Sequence, residues 1–149
     1  MDEAAKVAQS GGRAVRPVLV LAALVLLLLG AAKLVGVGRG EGEQLQLSSD
    51  SVAQWERWAR WQGAGELVAG ALVLVLPNPA GSLVLSAVGA GFLAWQFLET
   101  PGGVPCPCLA GLRSWISWLR EQEEEWRTAL ATWFFLVGVL SWRSARTGE

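Results

Sequence analysis

The sequence contains no histidine and no tyrosine, and only two of its 149 residues are cysteine. Without histidine the chain lacks the usual haem axial ligand, the usual zinc ligand and the commonest general base. Hydrolases of the serine–histidine and cysteine–histidine types are excluded with it. Charge is scarce as well: Asp, Glu, Lys and Arg make up 17% of the residues and nearly cancel, leaving a formal net charge of -1. No basic field exists to neutralise a phosphate backbone, so nucleic acid is not an expected partner.

What the chain has instead is apolar mass. Hydrophobic residues reach 52% and the mean hydropathy is +0.38, too apolar for an ordinary soluble domain of this size. The apolar residues also fall in long blocks, as a helix surrounded by lipid requires, and not at every third or fourth place. The expected fold class is therefore all-α, an integral membrane four-helix bundle with interfacial amphipathic helices, and the lipid bilayer is its first partner.

The blocks place the spans. A polar segment, residues 1–16, precedes an almost unbroken run of Val, Leu, Ala and Gly from Pro17 to Val37. This run is longer than the core of a signal peptide and has no convincing small-x-small cleavage site ahead of Lys33, so it reads as a retained span. Trp55, Trp58 and Trp61 then recur among Glu56, Arg57 and Arg60. That pattern suits an interfacial helix, with indoles at the headgroup level and guanidinium groups in water. It is expected to run directly into a second span, residues 63–76, which Pro77-Asn78-Pro79 stops by fixing the backbone and withholding donors. A third span follows over residues 80–98, rich in glycines that let helices approach closely.

Between Pro105 and Trp126 comes the cysteine loop and then an amphipathic stretch, with Trp115, Ile116, Trp118 and Leu119 against Arg113, Arg120 and an acidic run. It should lie along the membrane surface. A shorter last span covers residues 126–142 and leaves a polar tail, residues 143–149. Four spans put both termini on one side. Positive charge is divided almost evenly between the two faces, but the basic segment before the first span favours cytoplasmic termini and an external cysteine loop in a bacterial inner membrane.

That arrangement gathers residues distant in sequence. Lys33 closes the first span, Glu66 opens the second, and Cys106 and Cys108 follow the third, all at one end of the bundle. A charged side chain at the edge of a span either snorkels to water or pairs across the helix interface, and Lys33 and Glu66 are expected to lie close enough to pair. Both cysteines sit in one tripeptide, Cys106-Pro107-Cys108. A disulfide across one intervening residue closes a small, strained ring that suits exchange, and a nearby cation would favour the thiolate. Structural and metal-delivering roles stand beside the redox one. For metal, no histidine or second cysteine pair completes a tetrahedral site.

Three motifs in order, Gly30-Ala31-Ala32-Lys33-Leu34, Glu66-Leu67-Val68-Ala69-Gly70 and Cys106-Pro107-Cys108, resemble those of the MauE family within the wider DoxX-like membrane proteins. The resemblance implies a bacterial four-helix membrane protein that matures methylamine dehydrogenase or another exported partner. It would do so by supporting disulfide formation alongside a thioredoxin-like protein, with Cys106 and Cys108 as the redox pair and Lys33 and Glu66 in support. Leu109-Ala110-Gly111 stands where the family usually has Phe-Gly. Two other roles remain open: a non-enzymatic assembly subunit, and a subunit of a quinone-linked oxidoreductase, in which quinone would be the cofactor.

Overall fold

The apolar blocks form helices. The computed structural model describes residues 2–39, 48–97 and 122–147, and within them the chain is entirely α-helical. Helix α1 covers Asp2–Gly38, α2 Ser49–Val75, α3 Asn78–Phe97 and α4 Glu123–Thr147. Cys106, Cys108 and the amphipathic stretch expected around Trp115 and Trp118 lie outside the described residues.

Local chemistry sets the helix ends. Ser48 caps α2: its Oγ accepts from the Ser51 N–H at 3.4 Å, and its carbonyl accepts from Val52 N–H at 2.9 Å. Asp50 adds negative charge in the first turn, where the helix dipole favours it. The Leu76 N–H still bonds back to the Leu72 carbonyl at 2.8 Å, and the Pro77 carbonyl already accepts from Gly81 N–H at 3.0 Å. Pro77 thus ends one helix and starts the next. Pro79 falls in the first turn of α3, where a missing N–H costs little because no carbonyl of that helix stands four residues before it.

One expectation is adjusted here: helix α1 begins well before Pro17 and passes through it. As expected, the tryptophan segment runs directly on, and α2 is one continuous helix to Val75. Of α1, only Val15–Gly38 is long and apolar enough, on length and composition, to cross a membrane, and it is the one such segment among the described residues. At about 1.5 Å per residue those 24 residues rise about 36 Å.

The helices alternate in direction. Gly30 meets Gly63 and Leu67 while Gly70 meets Ala23 and Leu27, so α1 and α2 run antiparallel. Gly81 lies against Val73 at one end of the α2–α3 pair, and Gly89 and Gly138 report the same antiparallel sense between α3 and α4. The closest packing is within α1–α2 and α3–α4; the seam between α2 and α3 is thinner. The core contains Leu19, Ala22, Ala23, Leu26 and Leu29 of α1, Val73 of α2, Leu85 of α3 and Phe134 of α4. Along α2 the buried positions are Trp55, Ala59, Gly63, Glu66, Ala69, Gly70 and Val73, which recur every three or four residues with Ala69 and Gly70 side by side, and so mark one inward face.

Small side chains let the backbones touch. A Cβ on Gly30 would stand 2.6 Å from the Gly63 carbonyl oxygen, and one on Gly63 would stand 3.0 Å from that of Gly30. Between α3 and α4, Ser82 and Ser86 lie in the contact with Gly138. Their hydroxyls donate back to the Asn78 and Ser82 carbonyls at 2.7 and 2.9 Å, so both are paired within that crossing.

Candidate functional site

The Gly30–Gly63 contact draws the two backbones together, and Lys33 and Glu66 each lie one turn C-terminal of it on their own helix, on either side of the contact, so that the long lysine side chain spans it. The Lys33 ammonium donates to Glu66 Oε1 in a direct ion pair. Lys33 is 0% exposed and Glu66 3%. Lysine and glutamate are almost never buried to this degree without a partner, because removing either charge from water costs several kcal/mol. The pair joins the two helices inside the bundle, 33 residues apart in sequence. Lys33 also faces α3, its Nζ standing 6.0 Å from the centre of the Phe92 ring, at the outer limit of a cation–π contact.

Only half of the Glu66 carboxylate is used by Lys33. Oε2 is buried and has no hydrogen-bond partner among the described residues. Glu66 belongs to the wall of a cavity of about 390 Å³ between α2 and α3. From α2 the cavity is lined by Trp58, Trp61, Gln62 and Gly65 beside Glu66, and from α3 by Val88, Gly91, Phe92 and Trp95. Trp58 and Trp95 meet edge to face across the opening, with ring centres 5.0 Å apart and planes at 63°. The indole Nε1 of Trp95 is likewise buried without a partner among the described residues.

The tryptophan series is divided by helix geometry. Three residues advance a helix by about 300°, so positions repeating every third residue drift by about 60° per step. Trp55 consequently points into the bundle, 2% exposed, while Trp61 is 72% exposed and Trp58 lies between them at 45%. Trp55 therefore packs against the bundle, contrary to the expectation that all three indoles face outward, and Trp58 and Trp61 flank a pocket as well as facing outward. On the surface, Arg60 pairs with Glu56 at 3.2 Å, an i,i+4 contact of the ordinary exposed kind.

Two pocket glycines stand apart from those at the helix crossings. A Cβ added to Gly65 or Gly91 would meet nothing within 4 Å, so neither is required for close approach. Alanine is favoured over glycine inside a helix by about 1 kcal/mol. Both line the cavity and are exposed. Gly65 is not singled out by the sequence. Gly91, expected with Gly81 and Gly89 to let helices approach closely, has no helix against it, and nothing in the linear pattern separates it from the crossing glycines.

Of the four residues singled out from sequence, the structure brings Lys33 and Glu66 together; Cys106 and Cys108 are not described. By connectivity, the segment carrying the cysteines joins the C-terminal end of α3 to the N-terminal end of α4. Those two ends, with the C-terminal end of α1 and the N-terminal part of α2, occupy the end of the bundle where the tryptophans gather. No group of three or more potential metal-binding His, Cys, Asp or Glu side chains occurs among the described residues. No protein-family model, curated protein or solved structure matches the chain.

Proposed function

We propose that the chain is an integral membrane four-helix protein that supports thiol–disulfide exchange on an exported partner through Cys106 and Cys108. The observation that carries the membrane part is an inverted distribution of polarity. Lys33 and Glu66 are enclosed, while Leu21, Leu24 and Leu28 on α1, Val68 and Val75 on α2, Leu83 on α3 and Leu136 and Leu140 on α4 face outward. Exposures of 62% at Leu28 and 82% at Val75 are costly in water when they recur on every helix, and are favourable against lipid. Helix α3 adds a sequence of 20 residues without one charged side chain.

The exchange part rests on the two cysteines of one tripeptide and on the likeness to the MauE family. In the step proposed, a thiolate of the partner attacks the Cys106–Cys108 disulfide and forms a mixed disulfide with one cysteine while the other leaves as thiolate. The partner's second thiolate then attacks the partner's own sulfur in that mixed disulfide and expels the bound cysteine, so that the partner gains a disulfide and the pair, taking up the protons the partner gave up, is left as two thiols. Two electrons pass to the pair and no other reactant is consumed. The bacterial inner membrane with cytoplasmic termini would put the pair in an oxidising compartment.

Thiol labelling of intact cells with a membrane-impermeant maleimide tests both parts together. The expected result is little labelling before reduction and full labelling after it. Labelling that requires cell lysis would place the loop in the cytoplasm and remove the basis for exchange.

A second reading, a subunit of a quinone-linked oxidoreductase, is favoured by one observation, the aromatic cavity with Glu66 in its wall. Its test is extraction of the purified protein for a co-purifying quinone.

A further inference from the structure

The cavity between α2 and α3 has a chemistry that selects among ligands. Its walls are indole and phenyl surface from Trp58, Trp61, Trp95 and Phe92, which favour a flat, apolar body. Two of its lining residues carry a buried polar atom with no partner among the described residues, Glu66 Oε2, an acceptor, and Trp95 Nε1, a donor. The other oxygen is held by Lys33, so the ion pair is already neutral as a unit. A cationic ligand would bring a charge with no counter-charge in the cavity, and an anionic one would meet the carboxylate. A neutral molecule with one O–H to donate supplies Oε2 with a partner without adding charge, and its oxygen keeps a lone pair for a donor such as the Trp95 N–H.

From these features we infer that the cavity is a binding site for a neutral ring compound bearing a hydroxyl donor, of the phenol class, with its O–H directed to Glu66 Oε2 and its ring between the tryptophans. A purely apolar occupant such as an acyl chain would fill the space and leave Oε2 unpaired, which is why the hydroxyl is part of the assignment. Gly65 and Gly91 supply a second and independent observation. Both line the cavity, both have open space where a Cβ would stand, and the room they leave is part of what a ring would occupy. The inference requires neither the cysteines nor electron transfer.

The test uses the full-length protein in lipid nanodiscs and two probes, 4-propylphenol and its methyl ether 4-propylanisole, which has a similar apolar body but no donor. Binding is followed by calorimetry, with empty nanodiscs subtracted to remove partition into lipid. The expected result is saturable binding of the phenol and at least about tenfold weaker binding of the ether, as for loss of a hydrogen bond to a charged group. Gly91→Leu and Gly65→Leu fill the cavity from open positions, so both should abolish saturable binding while the helical circular dichroism and melting temperature are kept. These variants leave the ion pair in place and keep the assignment testable if Glu66→Gln does not fold. Equal binding of phenol and ether, no saturable binding of the phenol, or unchanged binding in folded Gly91→Leu and Gly65→Leu would each overturn it.

Discussion

Gly30 and Gly63 face each other backbone to backbone, one turn from Lys33 and Glu66, and the charged pair is reachable only because these helices approach so closely. Alanine at Gly30 would place its Cβ 2.6 Å from the Gly63 carbonyl oxygen, a contact that must be relieved by moving one helix. Gly30→Ala is expected to cost about 1–3 kcal/mol, the usual range for overpacking, and Gly30→Leu more. Reversible unfolding in mixed micelles measures this. Gly91→Ala, in open space, is the matched control and should leave stability unchanged or raise it.

The buried pair predicts strong coupling. Lys33→Met or Glu66→Gln alone removes one partner and should destabilise the protein by about 3–5 kcal/mol. Replacement of both by apolar residues of similar size should recover most of that loss. Charge reversal offers the complementary test: Lys33→Glu and Glu66→Lys should each reduce the folded yield, and the exchanged double variant should restore part of it. Additive effects across either cycle would mean the two residues act independently.

Topology is open to a direct experiment. Reporter fusions at Glu149 and beside Asn78 are expected to read cytoplasmic, and one at Asp50 external. The opposite pattern would put the cysteines in a reducing compartment, where the proposed exchange has no support.

The cysteine pair makes its own prediction. Cys106→Ser and Cys108→Ser should each abolish maturation of the partner with membrane insertion intact, and one of them should accumulate a mixed disulfide. The product is a heavier band on non-reducing electrophoresis that collapses on reduction. Full activity in both variants would leave the assembly-subunit reading in its place.

Much of the helical layout is legible in the sequence, because an apolar run bounded by Pro77 or by polar segments admits few other conformations. The meeting of Lys33 with Glu66 was also readable, since antiparallel order brings the end of one apolar block beside the start of the next. The inward turn of Trp55 was not, because it depends on the phase of α2 relative to α1, which the glycine contact fixes and composition does not. The cavity was invisible for the same reason: it combines residues of α2 and α3 whose facing sides emerge only after packing. The start of α1 before Pro17 escaped because polar residues such as Lys6 and Gln9 signal water and do not argue against helix.

The α1–α2 interface contains several small residues about two turns apart, Ala23 and Gly30 on one side, Gly63 and Gly70 on the other. By shape alone such a ladder tolerates sliding, since small residues shifted along the helix can still nest against one another. Charge removes the degeneracy. A displacement of one turn, about 5.4 Å, would strand the Lys33 ammonium and the Glu66 carboxylate in apolar surroundings, so the ion pair acts as a key that admits one vertical alignment of the two helices. Its contribution is then to uniqueness more than to strength. A variant with both charges replaced by leucine would be equally compact but free to populate neighbouring alignments.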